Sequence, residues 1–255
     1  MIRHSLKFYK HLEEDPSIKN IFYHFGTLPA LVQYETLFKD IDNLHFKSDD
    51  KILDWGCGNG WFSYYLIAQG FKHVTSYSYG WDSIRPAMEK IKELKVVNGA
   101  EHQLSTPSEL PFPDMSFDAI FSIGVLEHVH ETGGDQIDSL QEIRRILKPG
   151  GIFYCYHFPN QYTWIEYLKS KVAPGKDYLH TKKFTKGQII EMSNAIGMEI
   201  LKVKRYNLLP YNIFRRSFLN HSLVALSYRA IDSLASLTPL NHFAQAYLFI
   251  ARKSG

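Results

Sequence analysis

The stretch Ile52-Leu53-Asp54-Trp55-Gly56-Cys57-Gly58-Asn59-Gly60 carries the strongest structural signal in the chain. Lys51 to Trp55 has the length and apolar character of a strand, three glycines follow at alternate positions, and Gly60 to Gln69 reads as a helix closed by Gly70. Glycines between a strand and a helix let the backbone turn tightly and let a ligand lie against the main chain with no Cβ in the way. At the carboxyl end of a parallel strand, such a loop is where α/β sheets bind nucleotide-like cofactors. The last glycine of the dinucleotide fingerprint G-x-G-x-x-G falls on Trp61, which disfavours NAD and FAD, and a Walker loop is absent. Asp54 is unusual in a buried strand, because a carboxylate there is costly unless paired. It fits either a ligand contact or a cap on the local loop.

Outward from this loop, strand-like and helix-like segments alternate, the pattern of an α/β sheet. Strands are expected at His73–Ser78, Glu101–Ser105, Phe117–Ile123 and Ile152–His157, with helices at Asp82–Leu94 and Asp135–Leu147, the latter capped by Asp135. Lys148-Pro149-Gly150-Gly151 reads as a sharp stop. After His157 the rhythm changes to an aromatic, basic segment, then a helix over Lys186–Ala195 and a final strand pair at Glu199–Tyr206 and Phe243–Arg252. Between that pair lies an insertion, Tyr211–Leu240, with helical apolar spacing and interleaved arginines. The first fifty residues read as helices. The organisation expected is an N-terminal helical cap (1–48) and one α/β domain (49–255), with residues 160–186 and 211–240 as insertions walling an acceptor site.

With 255 residues, 45% hydrophobic and 15% aromatic, the composition is that of a folded globular chain rather than a disordered one. No apolar run suits a secretory signal or, at about 18 residues, a membrane span. Two cysteines, Cys57 and Cys155, are too few for a disulfide framework, so a reducing, cytoplasmic setting is expected. Net charge is only +3, yet Ile165–Arg216 holds eleven Lys and Arg against four Asp and Glu. Such a block is a solvated face, or a surface for a phosphorylated acceptor or an anionic headgroup.

Four segments, in order and at the right spacing, resemble the class I S-adenosylmethionine-dependent methyltransferases. Ile52–Gly60 is similar to their first motif, and Leu110-Pro111-Phe112-Pro113-Asp114-Met115-Ser116-Phe117-Asp118 to the entry into their fourth strand. Ser122-Ile123-Gly124-Val125-Leu126-Glu127-His128-Val129 looks like that strand's end, and Leu140–Gly151 like the helix and turn before the fifth. The resemblance covers Lys51–Phe158 well and is closest to the branch that methylates small molecules, lipids and sugars. It implies a Rossmann-like, seven-stranded, mostly parallel sheet with its last strand antiparallel and helices on both faces. It also implies S-adenosylmethionine as cofactor, with Asp54, Gly56 and Gly58 against its methionine portion, Cys57 and Gly60 among the cofactor-binding residues, and Ser122, Ile123, Gly124 and Glu127 along the far wall.

Two positions depart from that pattern. Ser78 stands where the family has an acid on the ribose hydroxyls, and Thr106 where an acid contacts the adenine amine. Loss of a charged acceptor weakens such a contact by about 1.5–3 kcal/mol. Asp82 is a substitute for the ribose acid or a cap for the second helix.

An oxygen acceptor benefits from a general base, and histidine is tuned for that role near neutral pH. The candidates are His157 at the end of the fifth strand, His128 after Glu127, and His180 in the basic aromatic segment. His128 and His130 mimic a metal pair, but no further ligand is evident in the sequence, so no metal is expected. The expected reaction is methylation, at oxygen, of a small-molecule, glycan or lipid-linked acceptor; Tyr162, Trp164, Tyr167 and Tyr178 either stack on it or pack in a core. The rival reading is a non-catalytic scaffold that keeps the fold. A nucleic-acid substrate is disfavoured by the modest charge and the lack of an Asn/Asp-Pro-Pro-Tyr/Phe signature. The amphipathic insertion suits a core, a peripheral membrane contact or a homodimer interface, and helical spacing does not choose among them.

Overall fold

The computed structural model describes residues 2–80, 82–102, 108–172, 180–210 and 222–255. The chain divides into two compact units, one of residues 47–161, 180–204 and 246–255, the other of 1–46, 162–179 and 205–245.

The first unit contains strands β1 (Lys51–Trp55), β2 (His73–Ser78), β3 (Lys95–Asn98), β4 (Phe117–Ile123), β5 (Leu147–Pro159), β6 (Met198–Tyr206) and β7 (Ala246–Lys253). They form one sheet in the order β3-β2-β1-β4-β5-β7-β6. Pairings among β1 to β5 are parallel, and β7 runs antiparallel to β5. This is the Rossmann-like, seven-stranded arrangement that the resemblance implied. Ile52, Leu53, Ile120 and Phe121 are all fully buried, so β1 and β4 are covered on both faces. That is why they read as continuous apolar runs rather than alternating ones. Helices α5 (Trp61–Ala68), α6 (Arg85–Lys90), α7 (Gln136–Ile146) and α9 (Lys186–Ala195) belong to this unit. Asp135 caps α7 by accepting from the Ile137 N–H, and Thr185 with Gln188 forms a capping box on α9.

The second helix is Arg85–Lys90 rather than Asp82–Leu94 and the last strand Ala246–Lys253 rather than Phe243–Arg252, and three further boundaries differ from the sequence expectation. The third strand is Lys95–Asn98, paired with β2 from Thr75↔Lys95 to Ser78↔Asn98, and Gly99–His102 is a 3-10 turn. An edge strand pairs on one side only, so the β-branched Val96 and Val97 suffice where a helix was expected to run to Leu94. Residues 103–105 of the expected strand lie outside the described residues. Next, β5 begins at Leu147 rather than Ile152, because Leu147 already pairs with Phe117 and the Lys148–Gly151 turn is absorbed by a register shift, with Gly150 at φ 75°. Finally, β5 runs past His157 to Pro159 through a bulge. Its register against β7 shifts between Cys155↔Phe249 and Phe158↔Tyr247, and His157 takes a left-handed φ of 70°. Bulges of this kind bend a strand and re-aim its side chains.

The Leu110–Asp114 segment is held by two side chains of α7, Arg145 and Glu142, the latter accepting from the Leu110 N–H at 3.1 Å. Arg145 donates to the carbonyls of Leu110 (3.0 Å) and Phe112 (2.8 Å) and pairs with Asp114 (2.8 Å) and Glu142 (2.7 Å). The second unit is helical where described: α1 (Arg3–Glu14), α2 (Pro16–Ile21), α3 (Leu28–Val32), α4 (Glu35–Asn43), α8 (Trp164–Val172) and α10 (Ser222–Ala235). The buried Glu35 carboxylate accepts from the Ser5 N–H (2.8 Å) and Oγ (2.6 Å) and so ties α4 to the start of α1. Arg229 on α10 donates to Thr36 Oγ1 at 2.7 Å, so part of the Tyr211–Leu240 insertion packs with the N-terminal helices. Residues 211–221 of that insertion lie outside the described residues. Among the described residues, no helix is long and apolar enough to cross a membrane.

Replacing Arg145 by alanine leaves two carbonyls and two carboxylates without their fork. Urea unfolding should show a loss of about 1.5–3 kcal/mol, and lysine, lacking the planar fork, should restore only part of it.

Candidate functional site

A cleft of about 270 Å³ opens at the carboxyl ends of β1, β2 and β4. Trp55, Gly56 and Gly58 line it from the β1 loop, Tyr77, Ser78 and Tyr79 from the end of β2, and Gly124, Val125, His128, Val129 and Thr132 from the turn after β4. The β1 loop is shaped by its backbone. The N–H groups of Gly56 and Cys57 both donate to the Tyr77 carbonyl at 2.9 Å, and Gly60 donates to the Cys57 carbonyl at 2.8 Å. Gly56, Gly58 and Gly60 have φ of 71°, 55° and 83°, a region that side chains with a Cβ avoid. A Cβ on Gly56 would collide with the Val125 methyls, whereas one on Gly58 would have no heavy atom within 4 Å. Gly56 is thus a packing glycine, and Gly58 borders open space.

Asp54 is 1% exposed and is not among the residues lining the cleft. Its carboxylate accepts from the Ser63 N–H (3.1 Å) and Oγ (2.6 Å) in the first turn of α5, and Ser76 Oγ donates to Ser63 Oγ at 2.6 Å. Of the two roles the sequence allowed, this geometry is the capping one. Burial pushes Asp54 up to about 6, against the pull of the Ser63 hydrogen bonds. Cys57 is buried as well, and burial together with the Asp54 charge raises its thiol well above the ordinary range, so it stays protonated. Trp61 is buried and packs edge-on against Phe62, away from the cleft.

Ser78 does line the cleft, and its hydroxyl donates to the Gly80 carbonyl. Asp82 is exposed and pairs with Arg85 at 3.2 Å, and it is not among the lining residues. Thr106 lies outside the described residues. At the far side, Ser122 is buried and its Oγ accepts from the Leu126 N–H, Ile123 ends β4, and Gly124 turns at φ 75° into the cleft wall. Glu127 is 2% exposed; burial, with a smaller push from Glu131, raises its carboxyl to about 8.

The three histidines are placed unequally. His128 lines the cleft, and its Nδ1 contacts Glu131 at 2.9 Å. The His180 ring lies 5.3 Å from the His128 ring, centroid to centroid. His157 lies on the β5 bulge against Tyr156 and is not a lining residue. His130 turns to Thr181 (2.5 Å) and Gln136 (3.3 Å). Of the aromatics proposed for the acceptor, Tyr162 stacks on His242, Trp164 donates to the Leu208 carbonyl, Tyr167 is exposed, and Tyr178 lies outside the described residues.

The sequence reading missed Trp55, Tyr77, Tyr79, Val125, Val129 and Thr132 as lining residues. Val125, Val129 and Thr132 recur at helix-like spacing after the Gly124 turn, a signal that was available. Tyr77 is different: Gly99, by lacking a Cβ, makes room for its hydroxyl, and that hydroxyl is buried without a hydrogen-bond partner. The open space over Gly58 and this unpartnered hydroxyl near Ser78 fit a nucleoside-bearing cofactor lying across the loop.

Residues 53–155 match the family model described as a methyltransferase domain. Over 183 residues the chain is 27% identical to a "Probable S-adenosylmethionine-dependent methyltransferase" of Mycolicibacterium smegmatis, covering 68% of this chain and 63% of that protein. Over 122 residues it is 35% identical to a sterol 24-C-methyltransferase of Gibberella zeae, covering 46% and 30%. The chain therefore spans less than two thirds of the length of either relative. A solved structure described as a candidate sarcosine dimethylglycine methyltransferase from Galdieria sulphuraria shares the fold with a TM-score of 0.60 over 98% of both chains, at 16% identity. Residues 53–155 thus match a methyltransferase domain, and the sheet order and glycine loop are those that the resemblance to class I S-adenosylmethionine-dependent methyltransferases implied.

Two outcomes check this geometry. Gly56→Ala should cost about 1–3 kcal/mol from the left-handed backbone alone, before the Val125 collision, as measured by urea unfolding. Asp54 keeps its proton in the folded chain between about pH 3.8 and pH 6, where the unfolded chain has lost it, so its contribution makes stability fall as pH rises through that window. Asp54→Asn removes that dependence, and relative to the unsubstituted chain it should gain up to about 3 kcal/mol between about pH 3.5 and about pH 7.

Proposed function

We propose that this chain transfers a methyl group from S-adenosylmethionine to an oxygen atom of a small-molecule, glycan or lipid-linked acceptor. The observation that carries this reading is the left-handed, side-chain-free Gly58 beside Gly56 on the floor of the cleft. Asp54, buried behind the loop, serves the cofactor site by fixing the loop's exit into α5 rather than by touching a ligand. The Ser78–Tyr79 edge takes the nucleoside end, and with a hydroxyl in place of an acid it holds a ribose less tightly.

When bound, the cofactor supplies a methyl group on a positively charged sulfur that is already a good leaving group. The protein's tasks are then alignment and the exclusion of water. Apolar side chains of Trp55, Tyr77, Val125 and Val129 wall the cleft and keep it dry. Among the three candidate histidines, His128 is the one on the cleft wall, with Glu131 orienting its ring through Nδ1. The acceptor hydroxyl is therefore activated at the His128–His180 side. Basic side chains over residues 182–204 of the same unit favour an acceptor that carries phosphate.

Calorimetry with S-adenosylhomocysteine tests cofactor use directly: binding is expected, and its absence at millimolar ligand would favour the scaffold reading. Gly58→Val should lose that binding, at a cost in stability from its left-handed backbone that urea unfolding reads separately; a folded variant that retains binding would reject the pocket. With methyl-labelled cofactor and a lysate of small molecules, mass spectrometry should find a labelled acceptor. His128→Ala should then slow labelling by roughly 10²–10⁴-fold while leaving S-adenosylhomocysteine affinity nearly unchanged. His157→Ala, at the bulge, should have the smaller effect.

A further inference from the structure

Glu127, His128 and His180 each bring one ligand atom to a single place, all within 4.8 Å of one another. Glu127 Oε1 is 4.0 Å from His128 Nε2, and the two imidazole rings lie side by side. A second, independent feature is the state of the carboxylate: Glu127 is 98% buried by its 2% exposure, and its Oε2 has no hydrogen-bond partner. A buried carboxylate oxygen without a donor is costly, and a cation removes that cost. A third is the contact between His128 Nδ1 and Glu131, which leaves Nε2 as the free ligand atom and is the carboxylate–histidine arrangement that orients metal-bound imidazoles.

We propose that Glu127, His128 and His180 bind a divalent transition-metal ion at the wall of the cleft, and that this ion holds and acidifies the acceptor's hydroxyl. Two imidazoles and one carboxylate suit Zn²⁺, Mn²⁺ or Fe²⁺ better than Mg²⁺ or Ca²⁺, which favour all-oxygen sites. Three protein ligands leave coordination positions open for a substrate oxygen. An ion there lowers the pKa of the hydroxyl it binds, so no side chain has to act as a strong base. The hydroxyl proton leaves to solvent, an oxygen lone pair forms the bond to the methyl carbon, and the carbon–sulfur bonding pair returns to sulfur. The products are a methyl ether and S-adenosylhomocysteine. This inference rests on the methyl-transfer reading above and names how that site activates its acceptor. It also replaces the expectation that the histidines here bind no metal. In the sequence His128 and His130 lacked a further ligand, whereas the fold delivers His180 to His128 from far along the chain.

The full chain, stripped with chelator, is titrated with Co²⁺ and followed by visible absorption, with Zn²⁺ as competitor. One Co²⁺ per chain is expected, displaced by Zn²⁺. Glu127→Gln and His180→Ala should each weaken Co²⁺ binding by more than the roughly 10–100-fold cost of losing an outer-sphere partner. His130→Ala, which keeps all three ligands, should bind Co²⁺ as the unsubstituted chain does. S-adenosylhomocysteine should raise the melting temperature of His180→Ala as it does that of the unsubstituted chain, showing that the cofactor site remains folded. A chain that gives no saturable Co²⁺ spectrum, or whose Co²⁺ binding survives both Glu127→Gln and His180→Ala, would overturn the metal site. Failure of the unsubstituted chain to bind S-adenosylhomocysteine would instead overturn the methyl-transfer reading, so the two failures are told apart.

Discussion

The buried hydrogen-bond chain Ser76–Ser63–Asp54 connects β2, the first turn of α5 and β1 in a single line. Two elements that meet at the glycine loop are thereby joined beneath it, and the loop has little freedom left. Its remaining degrees of freedom are removed from above, where Gly56 and Cys57 both donate to the Tyr77 carbonyl. A carboxylate buried in this way is tolerable because the Ser63 N–H and hydroxyl both donate to it, and burial still raises its pKa. The cleft is as firm as this arrangement, since its floor is the backbone of residues 56 to 58.

The opposite wall is built on a different principle. The turn after β4 packs Val125 against Gly56, so the absence of one Cβ sets how closely the two walls approach. From this turn the short helix of residues 126–132 carries Glu127 inward and His128 toward the cleft. One buried carboxyl and one half-exposed imidazole on successive residues give that wall titratable groups. The bulge at His157 bends the far end of β5, and the segment that follows returns through Phe184, whose N–H donates to the Pro159 carbonyl at 3.0 Å. Phe158 and Phe184 stack at 4.2 Å, which anchors the region where His180 emerges.

Much of the fold could be read directly. The first, second and fourth strands and the Lys186–Ala195 helix have the expected limits, because buried parallel strands and capped helices leave uninterrupted apolar runs and recognisable first-turn residues. The edge strand was misplaced, since four residues with two valines carry too little pattern to outweigh a neighbouring helical stretch. The start and end of β5 were also misjudged: a register shift lets a strand pass through a Pro-Gly-Gly turn at one end and a left-handed histidine at the other, and neither event has a periodic signature.

For the site, local sequence was enough to find the glycine loop, whose Gly56 and Gly58 line the cleft, while Ser78 and Gly124 were placed there by the family resemblance. The direction of a side chain is another matter. Whether Asp54 faces a ligand or Ser63 depends on where α5 begins in space, and the unpartnered Tyr77 hydroxyl depends on a glycine from another strand's end. The company of His128 was beyond reach for the same reason: its neighbour in sequence turns to Thr181, and its neighbour in space is His180. By itself the sequence determined the alternation of strands with helices and the place of the glycine loop, since both follow from hydrophobic burial and backbone sterics along the chain. Tertiary structure alone decided which polar groups meet, because hydrogen bonds and ligand sets join residues that only packing brings within a few ångströms.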